Sequence, residues 1–122
     1  MVSETKKGSL TNDKKDNCKN TLLSAYIKYF GKEDDCYERL VLTQFRDYMM
    51  TTQEGKKLVK KYYKIAPKIV EAIEASDKKN ICYLYIKGVI EKCVAYGERE
   101  FYGYVEIAYR FMVKNLKKEF NL

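Results

Sequence analysis

Apolar residues recur at helical spacing along most of the chain, and turn signals interrupt the pattern about every twenty residues. The first helix is predicted to have Asp16 or Asn17 as its N-cap and to end at Gly31, because glycine suits a left-handed C-cap. Asp34 or Asp35 is the predicted N-cap of a second helix. The apolar positions of these two helices are Leu22, Leu23, Tyr26, Ile27, Phe30, Leu40, Val41, Phe45, Tyr48 and Met49.

The third predicted helix contains the single proline of the chain. Thr51 and Glu54 have the spacing of a capping box, so this helix is predicted to begin at Thr51 or Thr52 and to run to about Ala75. Pro67 removes one backbone hydrogen bond in its middle, which predicts a kink or a break at the preceding residue.

Two further helices complete the pattern. Ser76 and Asp77 form an N-cap pair before a fourth helix over residues 81–96, which Gly97 is predicted to stop, and a fifth helix is predicted over residues 98–120. The segment ICYLYIKGVI also has the aromatic and β-branched residues of a strand, but its length and its helical flanks favour a buried helix. The pattern therefore predicts an all-α fold, a compact bundle of about five helices.

Residues 1–16 are polar, rich in Lys and Asp, and without apolar periodicity. We therefore expect a flexible N-terminal arm before a single helical domain over residues 17–122. No apolar stretch approaches the roughly 20 residues of a membrane-spanning helix, and no signal-peptide pattern is present, so the expected location is cytoplasmic, without a membrane partner. The four cysteines are then expected as free thiols, with Cys82 and Cys93 buried on one helical face.

Six lysines fall within thirteen residues of the third helix, with no acid among them. The apolar residues of this helix follow one another at steps of three and four, which predicts one core-facing stripe. The stripe consists of Leu58, Tyr62, Ile65, Ile69 and Ile73, widened by Val59, Tyr63, Ala66 and Val70. The lysines then form a continuous basic face on the other side of the helix, made of Lys56, Lys57, Lys60, Lys61, Lys64 and Lys68.

Two interpretations of this basic face stay open. It is a solvated surface whose long side chains cover apolar flanks, or it binds an anion. A formal net charge of +7 favours acidic partners such as nucleic acid, nucleotides, anionic lipid headgroups or acidic protein surfaces. Lys56 and Lys57 also lie near a helix start, where unpaired N–H groups favour negative charge, and neighbouring tyrosines can stack on a base.

The segment EREFYGYVEIAYRF of the fifth helix predicts a core stripe and a second set of residues for a cleft. The stripe consists of Phe101, Tyr104 or Val105, Ala108, Phe111 and Met112. The candidates to line the cleft are Arg99, Tyr102, Tyr109 and Arg110, with packing inside the bundle as the alternative for the aromatic residues. The chain has twelve tyrosines and no tryptophan, and each buried tyrosine needs a partner for its hydroxyl.

Familiar catalytic chemistry has little support in this sequence. The chain contains no histidine, which removes the commonest general base and most catalytic zinc sites. Glu33, Asp34, Asp35 and Glu38 surround Cys36, a pattern that permits a metal site or an activated thiol, yet helix capping explains the acids without chemistry. We expect no enzymatic activity, no metal and no cofactor.

The stretch GKEDDCYERLVLTQFRDYMMTTQEGKKLVKKYYKIAPKIVEAIE has a Cys-led segment before an FRD motif, then a glycine, a YY pair and a proline. These residues are Cys36 with Tyr37, Phe45-Arg46-Asp47, Gly55, Tyr62 with Tyr63, and Pro67. Over residues 18–74 the chain resembles the bacterial CFI-box C-terminal domain family. The resemblance implies a compact helical module. It implies no particular activity, because none is established for the family. Arg46 and Asp47 are either a structural ion pair, which we favour, or an anion-binding arginine with its orienting carboxylate.

We therefore expect a non-catalytic helical protein that binds or sequesters an anionic ligand, a nucleotide-like signal or nucleic acid, as phage-encoded inhibitors of bacterial defence do. The residues expected to bind it are Arg46, Lys56, Lys57, Lys60, Lys61, Tyr63, Lys64 and Arg110. The alternative is a protein-interaction or homodimerisation module in which the lysines only maintain solubility. Salt distinguishes the two, because binding through several lysines weakens steeply as salt rises.

Overall fold

The computed structural model describes residues 21–122, which form a bundle of five helices. In chain order the helices are α1 (Leu22–Tyr29), α2 (Tyr37–Met49), α3 (Gln53–Glu74), α4 (Lys79–Glu98) and α5 (Tyr102–Glu119). The predicted all-α fold is confirmed, and within the described residues no segment is a strand, so the strand alternative for ICYLYIKGVI in α4 is wrong. The predicted arm over residues 1–16 lies outside the described residues.

Threonine side chains begin two of the helices. The Thr52 hydroxyl oxygen accepts a hydrogen bond from the Gly55 N–H at 3.0 Å, which confirms the predicted start of α3. Thr21 accepts in the same way from the Ser24 N–H at 3.1 Å. Helix α1 therefore begins after Thr21. The predicted N-cap, Asp16 or Asn17, lies outside the described residues.

The N-caps of α2 and α4 differ from the prediction. Cys36, rather than Asp34 or Asp35, precedes α2 and makes no side-chain capping bond. Asp34 instead holds Arg39, because its backbone oxygen accepts from the Arg39 Nε at 3.0 Å and its carboxylate lies 3.4 Å from the Nη2 atom. Before α4, Ser76 accepts from the Lys78 N–H at 2.9 Å, so its hydroxyl stabilises the preceding turn and Lys78 is the N-cap.

Glycine ends the first helix as predicted but not the fourth. Gly31 has a φ of 66°, and the Lys32 N–H donates to the Ile27 carbonyl at 2.9 Å, as in a Schellman motif. Gly97 lies within α4, and the left-handed residue after that helix is Glu100, with a φ of 58°. Gly97 is required for packing instead, since a Cβ at this position would lie 2.6 Å from the Val41 Cγ1 atom.

The proline does not break α3. The helix is continuous from Gln53 to Glu74, so the predicted break beside Pro67 is wrong. Pro67 itself is exposed, whereas Ala66 before it and Ile69 after it are buried in the core. Packing of these residues offsets the roughly 3 kcal/mol that an interior proline costs.

The buried stripes are rotated relative to the predicted ones. On α3 the buried line passes through Val59, Ala66, Ile69 and Ile73, while the predicted stripe members Leu58, Tyr62 and Ile65 are half-buried. The rotation accompanies the packing of α3 against all four other helices of the described bundle. Four other residues predicted in the core have exposed side chains because no described helix covers them, and these are Leu40, Tyr48, Phe101 and Phe111.

Glutamates satisfy the hydroxyls of the most buried tyrosines. Tyr26 donates to Glu38 at 3.0 Å, and Tyr83 donates to Glu74 at 2.6 Å. Both rings lie in the core, so these bonds remove the cost of burying a polar tip. Cys82 and Cys93 are buried free thiols as predicted, and burial raises the pKa of Cys93 to about 12.

Candidate functional site

A basic groove of about 520 Å³ lies between α3 and α5. Its apolar residues include Leu58 and Ile65 from α3 and Val113 from α5, and the exposed ring of Phe111 lies at its edge. Six cationic side chains line it, three from each helix. They are Lys61, Lys64, Lys68, Arg110, Lys114 and Lys117. We call this feature the α3–α5 groove.

Helical spacing produces the two cationic rows. Lys61, Lys64 and Lys68 follow one another at steps of three and four, so they share one flank of α3 beside its buried stripe. The row on α5 has steps of four and three between Arg110 and Lys117. Each row spans seven residue steps, about 10 Å along the helix axis at 1.5 Å per residue. The groove therefore presents positive charge along a length that matches several phosphate groups.

A single carboxylate organises one end of the groove. The Glu106 Oε2 atom lies 3.1 Å from the Arg110 Nε atom, one helical turn away, and accepts a hydrogen bond from the Tyr62 hydroxyl at 3.3 Å. Glu106 is mostly buried, whereas Arg110 is more than half exposed. Burial, together with Glu106, raises the pKa of Tyr62 to about 12, so this hydroxyl stays protonated at neutral pH. The carboxylate thus holds an exposed arginine in a defined position.

The lysines of the groove are not neutralised by neighbouring acids. Within residues 21–122, none of its five lysines forms an ion pair, and Glu106 is the acid in contact with its arginine. Six cations against one carboxylate leave five net positive charges along the groove. Like charges held this close favour the uptake of an anion.

The structure divides the residues predicted to bind an anion. Lys61, Lys64 and Arg110 meet in the α3–α5 groove. Arg46 and Tyr63 line a different cavity, where the Arg46 Nη1 atom donates to the Tyr63 hydroxyl at 3.1 Å. Their predicted role in binding stays a prediction.

The remaining predicted residues, Lys56, Lys57 and Lys60, are exposed on the first two turns of α3 and line neither feature. At 100° per residue, Lys57 and Lys60 lie about 40° from Lys61 and Lys64, one turn before them, whereas Lys56 lies about 140° from Lys61. The basic face of α3 is thus continuous in sequence but is shared between the groove and open solvent.

The predicted set lacked half of the groove. Lys68 belongs to the predicted basic face but not to the predicted binding residues, and Lys114 and Lys117 belong to neither. The sequence does contain a signal for Lys114 and Lys117. Their steps of four and three from Arg110 place these three cations on one flank of α5. The periodicity of α5 does not show which helix packs beside that flank, because tertiary packing determines it.

The second cavity has about 450 Å³ and is bounded by α1, α2, α3 and α5. Arg46, at its edge, also pairs with Asp47 at 3.2 Å, which is the predicted ion pair. Asp47 is mostly exposed, so this pair contributes little to stability. We call this feature the apolar cavity, after its main lining residues Leu23, Leu42, Phe45, Val59 and Ala66.

Two of the four acidic residues near Cys36, Asp34 and Glu38, have structural partners. Glu38 accepts from Tyr26 at 3.0 Å and lies 3.0 Å from the Lys32 ammonium group. Burial alone would raise the pKa of Glu38, but a backbone hydrogen bond, Lys32 and Tyr26 outweigh it and lower the pKa to about 2. Across residues 21–122, no group of three or more Cys, Asp or Glu residues is arranged to hold a metal ion.

Comparison of the chain with protein-family models, with curated proteins and with solved structures found no match. The resemblance to the CFI-box C-terminal domain therefore stays a prediction. None of the helices in the described part of the chain combines the length and apolar character needed to cross a membrane.

Proposed function

We propose that this protein is a non-catalytic binding protein that holds an oligophosphate ligand, a nucleotide or a short single strand of nucleic acid, in the α3–α5 groove. The observation that carries the proposal is the set of six cations, opposed by one carboxylate, on two adjacent helices. The absence of histidine from the chain supports a binding role over acid–base catalysis.

The two cationic rows suit phosphate groups rather than a single carboxylate. Lysine ammonium groups act as flexible point charges, which tolerate the varied positions of phosphates along a chain. Arg110 adds a planar guanidinium that Glu106 orients at 3.1 Å, and its free edge can bind a phosphate through two N–H groups. The mixture of one fixed and five flexible cations favours a ligand with several phosphates.

The apolar part of the groove supplies a surface for a base. Phe111 is exposed at the edge, and the side chains of Leu58 and Ile65 are half-buried between the lysines. Stacking of one base on an aromatic ring contributes about 1–3 kcal/mol. A ligand that carries both phosphates and bases therefore makes more contacts in this groove than inorganic polyphosphate does.

A titration series tests the proposal. Fluorescence anisotropy would measure the binding of a labelled single-stranded oligonucleotide, with ATP, AMP and inorganic tripolyphosphate as competitors. We expect the oligonucleotide to bind, ATP to compete better than AMP, and log K to fall steeply with log salt. Absence of binding at low salt, or binding that is insensitive to salt, would contradict the proposal.

A second candidate function, homodimerisation, is favoured by one specific observation on α4. Ile81, Leu84 and Tyr85 are exposed on one face of that helix, together with Gly88, around which there is open space. The steps of three and four make a continuous apolar stripe, and the glycine permits close approach of another helix. We call these four residues the α4 outer stripe. Its pairing with the same stripe of a second copy would bury all three apolar side chains.

A further inference from the structure

The apolar cavity is a second site whose chemistry differs from that of the α3–α5 groove. Its volume of about 450 Å³ lies within the usual range of small-molecule sites. Leu23 from α1, Leu42 from α2 and Val59 from α3 contribute to its lining and are buried among the core residues. Because protein interiors are otherwise close-packed, a concavity of this size beside the core needs an explanation.

Tyr109 is half-buried and lines this cavity, and its hydroxyl has no hydrogen-bond partner among residues 21–122. In contrast, the buried tyrosines Tyr26 and Tyr83 bond to glutamates. Burial raises the pKa of Tyr109, and the neighbouring Cys93, Tyr62 and Tyr63 raise it further. The hydroxyl is therefore a protonated donor at neutral pH, and an unmatched donor of this kind is costly.

Arg46 supplies positive charge at the same cavity. Its guanidinium contacts the Tyr63 hydroxyl at 3.1 Å on the cavity side and the exposed Asp47 carboxylate at 3.2 Å on the solvent side. A surface ion pair such as that with Asp47 is weak. A ligand carboxylate that reaches Arg46 would compete with Asp47 for the guanidinium group.

The other charged residues limit the ligand to a single negative charge. Arg39 also lines the cavity, but Asp34 accepts from it at 3.0 Å and pairs with it at 3.4 Å. Asp35 adds a further negative charge at the rim. Among residues 21–122 the lining contains two arginines and two aspartates, so a phosphate dianion or a polyphosphate meets no net positive charge here, in contrast to the α3–α5 groove.

We propose that the apolar cavity binds a monocarboxylate with an apolar body, such as a medium-chain fatty acid, with its carboxylate between Arg46 and Tyr109. The alkyl chain lies against Leu23, Leu42 and Val59 and removes its own surface from water, at about 25 cal/mol per Å². The carboxylate accepts a hydrogen bond from Tyr109 and a charge-assisted bond from Arg46.

The probe is decanoate below its micellar concentration. Decanol is the matched ligand without the negative charge, and acetate is the matched ligand without the long alkyl chain. Isothermal titration calorimetry would measure binding to the wild-type protein. We expect one decanoate per chain, weaker binding of decanol, and no detectable binding of acetate. Failure of decanoate to saturate a single site, or equal affinity for decanol, would overturn the proposal.

Two variants place the ligand in the cavity. Tyr109→Phe keeps the ring and removes the hydroxyl, so decanoate affinity should fall about tenfold, while the melting temperature stays constant or rises because an unmatched donor is gone. Tyr104→Phe, at an exposed position outside the cavity, is the control and should change neither quantity. Ala66→Leu fills the cavity and should abolish binding. Unchanged decanoate affinity in Tyr109→Phe would overturn the proposal even if the Ala66 variant did not fold.

Discussion

The Tyr62 hydroxyl donates a hydrogen bond to the Glu106 carboxylate, at 3.3 Å, and so joins α3 to α5 beside the α3–α5 groove. The same oxygen of Glu106 pairs with Arg110 at 3.1 Å. One mostly buried acid therefore serves two purposes, since it satisfies a partly buried phenol and fixes the arginine of the groove. The five lysines around this fixed centre have no ion-pair partners among residues 21–122, which is the basis of the first prediction.

Removal of three groove lysines should weaken oligonucleotide binding and its salt dependence together. In Lys64→Gln, Lys114→Gln and Lys117→Gln combined, we expect at least a tenfold loss of affinity at low salt. Each phosphate contact to a single strand contributes about 0.7 to the slope of log K against log salt, so the slope should become shallower by about 2. Anisotropy titrations at four salt concentrations would measure both quantities.

The chain contains its own control for net charge. The combined variant Lys28→Gln, Lys56→Gln and Lys92→Gln removes the same charge from exposed positions of the bundle that do not line the groove. It should lose less than threefold in affinity and keep most of the salt slope. Equal losses in the two triple variants would show that net charge, and not the groove, determines binding.

Gly97 and Gly88 form a matched pair on α4 with opposite expected effects on stability. A Cβ at position 97 would lie 2.6 Å from the buried Val41 side chain, so Gly97→Ala should lower the free energy of unfolding by about 1–3 kcal/mol. A Cβ at position 88 meets no atom within 4 Å, so Gly88→Ala should raise it by about 0.5–1 kcal/mol through helix propensity. Urea denaturation followed by circular dichroism would measure both.

A second substitution identifies the cause of the Gly97 effect. Val41→Ala removes the methyl group that the new Cβ would strike, so the double variant should be more stable than the sum of the two single changes predicts. Strict additivity would mean that Gly97 matters for its backbone alone.

Gly31 and Gly97 show how far the sequence determines the fold. Helix number and order follow from the apolar periodicity and from turn signals, and Gly31 is a C-cap that local chemistry identifies. Gly97 has the same local signal, yet it lies inside α4 because its role is contact with Val41 on another helix. Local patterns predict what a residue does within its own helix and not what the neighbouring helix requires.

The same limit applies to the candidate site. Lys61, Lys64 and Arg110 were predictable as cations on helical surfaces, and the structure brings them to one groove. Lys114 was equally visible in the sequence, but only the approach of α5 to α3 gives it a role. Arg46, in contrast, shares its charge type with Arg110 and lies in another cavity. The periodicity of a helix predicts the flank on which a cation lies. The tertiary packing determines which helix that flank contacts.

The contact between Glu38 and its two partners predicts an acid-sensitive contribution to stability. The pKa of Glu38 is about 2 in the folded protein, below its ordinary value of 4.5, so folding favours the ionised form. The stabilisation is therefore complete above about pH 4.5 and is lost as the pH falls towards 2. Glu38→Gln should lower stability by roughly 1–2 kcal/mol at pH 7 and should differ little from the wild type at pH 2.

Thermal melts from pH 2 to 7 would compare Glu38→Gln with Glu33→Gln. Glu33 is exposed, and none of the ion pairs among residues 21–122 involves it, so its variant should follow the wild-type pH profile. A constant difference between Glu38→Gln and the wild type across the whole range would contradict the prediction, because it would show that the effect does not depend on ionisation of the carboxylate.

The α4 outer stripe predicts an association that phosphate ligands and salt do not control. Leu84 is 61% exposed on α4, and burial of its side chain against a second copy would contribute about 1.5–3 kcal/mol. If the stripe is a dimer interface, the molar mass from light scattering should rise from one chain towards two with increasing concentration, and Leu84→Glu should return it to one chain. Leu40→Glu is the matched control, because Leu40 is 53% exposed on α2 and lies outside the stripe.

High salt should leave the dimer intact, since apolar contacts are not screened, whereas it should release an oligonucleotide from the α3–α5 groove. A single-chain mass at every concentration would exclude the dimer and leave phosphate binding as the function to pursue, and a dimer that Leu40→Glu disrupts as strongly as Leu84→Glu would place the interface elsewhere.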